Sequence, residues 1–349
     1  MPAKRTIPTL DDVALAAGVS TATVSRCLNA PERVVKATRD RVLTVVQTLG
    51  YTPNFGARAM AARRTSTIGA IIPTMNNAIF ARGLQAFQEQ LHKRGYTLLV
   101  SSTSYRPELE EEQIRALIAR GADGLLLIGY ERDPAIYDYL ATRDVPALIA
   151  WANERDRPEP AIGFDNRACM RALAQTVWDY GHRQIGVISA TTKGNDRALR
   201  RVEGIRDTFL DRGLPPQNLS VVETPYSIKN GGAAFASLMA TATPPTVVMC
   251  GNDVLAVGAI GRAQAMNLNI PEDVSITGFD DIELARIVMP PLTTVRVPHQ
   301  KMGRRSADAL IDMVETRTAT RFAALKAKVK IRASLGKIAT VADGKTAQD

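Results

Sequence analysis

The amino-acid sequence predicts an all-α headpiece followed by an α/β core of two doubly wound parallel-sheet subdomains. Three observations carry that expectation. The run "TLDDVALAAGVSTATVSRCLN", residues 9–29, places apolar residues at helical spacing with one break at a glycine. From Thr67 onward, short continuous apolar runs alternate with amphipathic segments, the pattern of buried parallel strands joined by crossover helices. Charge changes at the same place: residues 1–64 hold ten Lys or Arg against four Asp or Glu, and residues 65–349 hold 34 against 31. Most of the net charge of +9 therefore sits in the first fifth of the chain, as suits a module facing a polyanion.

The headpiece elements follow in order. Leu10, Val13, Ala14 and Ala17 line one face of a first helix, which Thr9 and Asp12 open as a capping box. Gly18 can adopt the positive φ that ends it, and Ser20 can cap a second helix running to about Leu28. In that helix Val24, Cys27 and Leu28 point inward, while Thr21, Ala22, Ser25, Arg26 and Asn29 point out. Two short helices across a glycine turn fit a helix-turn-helix, and they also fit an ordinary helical hairpin. A third helix over residues 36–49 is expected to cover both with Val42, Leu43, Val45, Val46 and Leu49, before Gly50 and Pro53 stop it. Residues 1–50 form the headpiece on this reading, and residues 51–64, with the Ala-rich "NFGARAMAARR", form a linker.

In the core, residues 65–335, "TIGAIIPT", "YTLLVSS", "DGLLLIGY", "VPALIAW", "QIGVISA" and "TVVMCG" read as buried strands. "FARGLQAFQEQLHKRG", "PELEEEQIRALIARG", "NRACMRALAQTVWDYG" and "NDRALRRVEGIRDTFLDRG" read as helices that each end at Gly. The polar stretch "ANERDRPEP", residues 152–160, reads as the passage between the subdomains. Ligands of such folds bind outside the carboxyl ends of the strands, and a cleft between two sheets is the default pocket. Residues 336–349 are polar and expected to be disordered.

Other classes are disfavoured. Cys27, Cys169 and Cys250 are odd in number and lack disulfide-framework spacing, which suits a reducing compartment. No N-terminal apolar stretch resembles a signal peptide and no run approaches membrane-spanning length, so a cytoplasmic protein without membrane contact is expected. The chain has no GxSxG elbow, no GxxxxGK loop and no GxGxxG after a strand. His92, His182 and His299 lack metal-ligand spacing, and His182 in "GHRQIGV" suits a structural role at a helix-to-strand turn. No catalytic residue, metal or cofactor is expected. An enzyme would need a base or nucleophile paired in the cleft, and a stand-alone solute-binding protein would need an export signal and no basic headpiece.

The motifs "TLDDVALAAGVSTATVSRCLN", "GYTPN", "ARAM", "GHRQIGVI", "RVEG", "GNDVLAVGA", "VSITGFDD" and "PPLTTV" occur in the order found in LacI/GalR-family transcriptional regulators, which the chain resembles over residues 8–335. Within the family, "YRPELEEEQIRAL" and "IGFDN" most resemble the gluconate-repressor branch. The resemblance implies a periplasmic-binding-protein-like core, a homodimer, and a second helix that enters the major groove of a palindromic operator in double-stranded DNA. The base-reading positions fall on Thr21, Ala22 and Arg26; Arg is the usual bidentate partner of guanine, and Thr and Ala can contact a thymine methyl. The backbone-contacting positions fall on Thr9, Ser20, Thr23, Ser25, Asn29 and Thr38. Residues 51–64 correspond to a hinge helix, with Met60 where the family carries a Leu that wedges into the minor groove. Val35 stands where the family has a capping Ser or Thr.

Family effector contacts fall on Arg201, Asn252 and Asp280, with Phe80 and Phe164 as apolar walls. By themselves, Asn252 also reads as a helix cap and Asp280 as a turn residue. Trp151 replaces an Asp that accepts sugar hydroxyls in the lactose-responsive member, and His299 replaces an apolar ring there, an apolar or cationic wall in place of a carboxylate. "TTKGNDRALRR" gathers Lys193, Arg197, Arg200 and Arg201 near a helix start. A small anionic effector, a sugar acid or sugar phosphate, is therefore expected, with solvated surface charge the competing account of Lys193 and Arg197. The expected function is a repressor released by that metabolite; a co-repressor-dependent regulator is the alternative.

Overall fold

The computed structural model describes residues 7–52, 64–75, 78–318 and 323–338. It forms two compact units that part between Thr65 and Ser66. In the first, α1 (Leu10–Ala17), α2 (Thr21–Asn29) and α3 (Lys36–Leu49) surround Val13, Ala14, Ala17, Val24, Cys27 and Val42. Thr9 and Asp12 make both halves of the capping box: the Thr9 hydroxyl accepts from the Asp12 N–H at 3.3 Å, and Asp12 Oδ2 accepts from the Thr9 N–H at 2.8 Å. Gly18 closes α1 in the left-handed region, φ 62° and ψ 41°, and Ser20 caps α2 through the Thr23 N–H. In α3 only Val42 is fully buried, with Val45 and Val46 packed at its side. Leu43 and Leu49 are exposed, contrary to expectation. Leu43 lies about 100° round the helix from Val42, and Leu49 falls in the last turn before Gly50.

The second unit carries twelve strands among the described residues: β1 (Thr67–Ile72), β2 (Thr97–Ser102), β3 (Gly124–Ile128), β4 (Ala147–Ala150), β5 (Ala161–Gly163), β6 (Ile185–Ser189), β7 (Leu219–Glu223), β8 (Val247–Cys250), β9 (Ser275–Asp280), β10 (Thr293–Arg296), β11 (Ala323–Ala324) and β12 (Lys328–Lys330). The connections hold α4 (Ala78–Lys93), α5 (Pro107–Ala119), α6 (Pro134–Thr142), α7 (Asn166–Asp179), α8 (Asp196–Leu210), α9 (Ile228–Met239), α10 (Asp253–Ala265), α11 (Leu284–Ile287) and α12 (His299–Thr316). One sheet runs β2-β1-β3-β4-β5-β11 and is parallel throughout. The other runs β7-β6-β8-β9-β10-β12, parallel except for β12. Strand order reverses beside β1 and beside β6, so the loops after these strands diverge and open a crevice at each sheet's carboxyl edge.

The central strands are buried along their whole length, as continuous apolar runs require. Strand β2 differs from the fully buried strand expected of "YTLLVSS": it is an edge strand with one flank open, and Val100 is exposed. Residues 152–160 are not the passage between subdomains. They form a loop between β4 and β5 of one sheet. The chain changes sheets at residues 164–165, again at 297–298, and a third time at 325–327. Residues 336–338, expected to be disordered, are instead bonded to the core. The Gly336 N–H donates to Ser275 Oγ at 3.0 Å and the Ile338 N–H to the Tyr180 carbonyl at 2.8 Å, which ties residues 336–338 to the core; residues 339–349 lie outside the described set. His182 is buried between the Thr246 hydroxyl, 2.9 Å from Nδ1, and the Gly336 carbonyl, 3.0 Å from Nε2, and burial lowers its pKa. Among the described residues no helix is long and apolar enough to cross a membrane.

Thr9→Ala removes the hydroxyl that accepts from the Asp12 N–H and donates to Asp12 Oδ2, and keeps the backbone N–H half of the box. It should destabilise the headpiece by about 1 kcal/mol, seen in the full chain as faster amide exchange across Leu10–Ala17 with exchange in the core strands unchanged. Equal exchange in both proteins would mean that the hydroxyl contributes nothing.

Candidate functional site

Two surfaces carry the candidate residues. On the headpiece, α2 presents Ala22, Arg26 and Asn29 to solvent, with Thr21 and Ser25 half-buried beside them. Small side chains leave the α2 backbone close to its outer surface, and Arg26 stands on it without an ion-pair partner among the described residues. The polar residues around it are held by local bonds. Asn29 Nδ2 donates to the Ser25 carbonyl at 3.0 Å, Ser20 Oγ lies 3.0 Å from Thr23 Oγ1, and Thr9 is engaged in its capping box. Thr38 is half-buried in the first turn of α3, where Val35 supplies no side-chain cap. Met60 and most of the expected hinge helix lie outside the described residues.

In the core, the carboxyl ends of both sheets meet around a set of buried rings and charges. Phe279, at the end of β9, packs between Phe164, 5.9 Å away ring to ring, and the Arg201 guanidinium, 3.9 Å from its centroid. Arg201 Nε donates to Asn166 Oδ1 at 2.8 Å and its Nη1 to the Gly251 carbonyl at 2.7 Å, next to Asn252. Asn166 passes the contact on, donating through Nδ2 to the Trp151 carbonyl at 3.0 Å. The Trp151 ring then meets Phe80 edge-on at 5.3 Å and His299 at 6.4 Å. His299 Nε2 donates to the Asp280 carbonyl at 3.3 Å, which closes the set. Seven of the nine expected effector residues are thus contiguous: Phe80, Trp151, Phe164, Arg201, Asn252, Asp280 and His299.

Asp280 is fully buried, yet neither carboxylate oxygen accepts a hydrogen bond from the protein. Burial pushes its carboxyl up to about 7, with Arg201 pulling the other way. Asn252 has two parts: Oδ1 caps α10 through the Leu255 N–H at 2.9 Å, while Nδ2 has no protein acceptor. The cap and the ligand readings of Asn252 therefore do not compete. Trp151 Nε1 is a further buried donor without a protein acceptor. His299 is not a cation, because burial pushes its pKa down to about 4 and the ring is neutral at pH 7.

The basic cluster differs most from expectation. Arg200 is paired with Glu154, at 2.9 and 3.1 Å, and with Glu203 at 2.9 Å. Arg197 is buried against Asp196 at 2.8 Å and donates to the Ile128 carbonyl at 2.9 Å. Neither stands ready for a ligand. Lys193 is exposed at the mouth of the cleft, on a cavity of about 390 Å³. The facing rings of Tyr105 and Tyr226, 5.7 Å apart, line the same cavity from opposite sheets, and burial raises both phenols. Sequence patterning missed these tyrosines: each sits in a loop after an edge strand, where no periodicity marks it.

Residues 9–54 match the family described as "Bacterial regulatory proteins, lacI family", and residues 174–335 match "Periplasmic binding protein-like domain". The chain is similar to the ribose operon repressor of Haemophilus influenzae, 31% identical over 88% of this chain and 92% of that protein. It is also similar to the HTH-type transcriptional regulator GntR of Escherichia coli, 28% identical over 91% and 95%. Among solved structures, the lac repressor dimer bound to operator and the anti-inducer ONPF superposes with a TM-score of 0.84 at 25% identity, covering 94% of this chain and 99% of that one. The two named relatives and the repressor dimer are transcriptional regulators, and none is an enzyme.

The seat of Arg197 generates a test. Asp196 Oδ2 accepts from the Tyr130 N–H at 2.6 Å while Arg197 holds the Ile128 carbonyl, so the start of α8 grips the loop after β3 in the other subdomain. Gly129 lies between them at φ 74°, and a Cβ there would overlap Arg197 Nη1 and Asp196 Oδ1. Gly129→Ala should break this grip and raise amide exchange at Tyr130 and its neighbours, with a larger radius of gyration in solution scattering. Unchanged exchange and radius would show that the two subdomains do not depend on it.

Proposed function

Because the chain belongs to the lacI family of bacterial regulatory proteins, DNA-binding transcriptional regulators with a ligand-binding core, we propose that it is a homodimeric repressor of a palindromic operator, released by a small polyhydroxylated metabolite bound in the cleft. One observation carries the effector reading: a fully buried Asp280 whose carboxylate oxygens have no donor from the protein. Hydroxyl groups supply donors there, and Asn252 Nδ2 and Trp151 Nε1 supply two matching donors for the effector's oxygens. An acidic group on the effector, as in a sugar acid or sugar phosphate, is the narrower form of the proposal. Of the four basic residues that suggested it, Arg201 and Lys193 are left to hold that group. Thr21, Ala22 and Arg26 read bases in this scheme, the short polar residues beside them hold phosphates, and Met60 wedges the minor groove. The release follows if the effector binds one arrangement of the subdomains more tightly than the other.

A gel shift with the gene's upstream DNA tests the regulator reading, with and without sugar acids, sugar phosphates and neutral sugars. Arg26→Ala should weaken specific binding by about 1–3 kcal/mol and leave nonspecific binding at the same salt nearly unchanged. Loss of both in proportion would remove Arg26 from base readout. Retention on DNA only in the presence of a metabolite would make the protein co-repressor-dependent.

Proton release tests the effector site. With its carboxyl near 7, Asp280 is partly protonated at neutral pH, and hydroxyl donors favour the ionised form. Effector binding at pH 7 should therefore expel a fraction of a proton, and less at higher pH where Asp280 is already ionised. Calorimetry in buffers of different ionisation enthalpy reads this directly, and Asp280→Asn should abolish the release and weaken binding. An effector that binds with no proton release, and equally well to Asp280→Asn, would take Asp280 out of the site.

A further inference from the structure

A second cavity between the subdomains, of about 470 Å³, shares no residue with the one at the cleft mouth. Its wall holds five basic side chains, Arg82, Arg286, Arg296, Lys301 and Arg304, against two acidic ones, Asp281 and Glu283. The acids do not balance the bases. Asp281 is buried and takes Arg296 Nε at 2.5 Å and Arg332 Nη2 at 2.6 Å, with Arg286 Nη2 at 3.5 Å, so three guanidinium groups share one carboxylate. Glu283 is occupied by Arg82 at 2.7 Å. Lys301 and Arg304 have no ion-pair partner among the described residues and are exposed on the first turns of α12. That helix opens at Pro298 with no side-chain cap, so its free N–H groups add partial positive charge at the same place.

Like charges gathered this closely repel unless an anion is drawn in, and a dianion with several acceptor oxygens suits converging forks and an ammonium. We propose that this cavity is a second ligand site, specific for a phosphate group, either free phosphate or the monoester of a small metabolite. Arg82, Lys301 and Arg304 come from helices on the first sheet, and Arg286 and Arg296 from the second. A phosphate held by both groups favours the arrangement that brings them together, and so acts on the same subdomain equilibrium as the cleft effector. The site is spatially separate from the cleft: of the residues around Asp280, only His299 lines it.

The full-length protein should be titrated with inorganic phosphate and with a hexose 6-phosphate by calorimetry, against sodium chloride at equal ionic strength. Saturable binding is expected in the wild type and in Lys193→Ala, which alters the exposed cleft mouth only, and binding at least about tenfold weaker in the Lys301→Ala, Arg304→Ala double variant. Both positions are exposed, and Arg304→Gln, which keeps the side-chain stem, serves as a second variant with circular dichroism as the check on folding. Tighter binding of the ester than of inorganic phosphate identifies a metabolite as the ligand, and equal binding identifies free phosphate. A response matched by chloride, or one that survives in the double variant, overturns the proposal. Loss of the response in Lys193→Ala would place the phosphate at the cleft mouth and overturn it as well.

Discussion

Charge buried between two sheets is costly unless it is paired, and at the start of α8 the partners come from the opposite sheet. Asp196 takes its N–H from Tyr130, Arg197 takes the Ile128 carbonyl, and Arg201 reaches the Trp151 carbonyl through Asn166. Removing one partner from such a set leaves an uncompensated buried group, which costs several kcal/mol in typical proteins. Polar geometry therefore constrains the relative placement of the subdomains, alongside a buried apolar cluster that runs across both sheets. Polar contacts of this kind exist in few arrangements, which makes the core suited to switching between states. A slippery apolar interface would deform continuously and transmit less.

The same constraint decides what the cleft can do for a ligand. Most of its cations are already engaged by protein groups, so they shape the pocket and hold the sheets. What remains for recognition is Asp280, the free amide donor of Asn252, the indole N–H of Trp151 and, for an acidic group, Arg201 and Lys193. To move a two-state equilibrium from 1:99 to 99:1, a ligand must prefer one state by about 5.5 kcal/mol. Two or three charge-assisted or buried hydrogen bonds made in only one arrangement supply a preference of that order. Bonds made equally in both arrangements would raise affinity without switching anything.

The headpiece was largely legible in the sequence because its signals are local. Thr9 and Asp12 sit three residues apart, Gly18 takes the left-handed conformation its neighbours require, and Ser20 caps the helix it precedes. The central strands were legible because burial on both faces leaves a continuous apolar run. Strand β7 and the two- and three-residue strands β5, β11 and β12 were not, since an edge or a short bridge leaves no periodic trace. Residues 152–160 misled because polarity and proline mark exposure, and an exposed loop within one sheet looks the same as a linker. Of the three true crossings, the one at residues 164–165 is only two residues long and begins at the buried Phe164. In the site, the family resemblance pointed to Arg201, Asn252 and Asp280, while charge counting failed for Arg197 and Arg200. Beside their near partners Asp196 and Glu203, these two are held by Ile128 and Glu154, far away in sequence, and a count of charges holds no information about such pairing.

That failure bears on how the effector is chosen. On the proposed reading only Arg201 and Lys193 are left for an acidic group, so net charge on the ligand discriminates less than a count of four cations suggests. Unpaired buried acceptors and donors discriminate strongly, because a ligand that lacks the matching hydroxyl leaves them stranded. Sites built to bond a hydroxyl reject analogues without it by factors of about 10⁴ or more, whereas one methylene more or less in an apolar pocket changes affinity only about 10–200-fold. On the proposed reading, the walls of Phe80, Phe164 and Trp151 set the size and flatness of the ligand, and its identity is read at Asp280 and Asn252. Relatives with the same apolar walls can then respond to different metabolites through a few changes in which buried polar atoms are left without a protein partner.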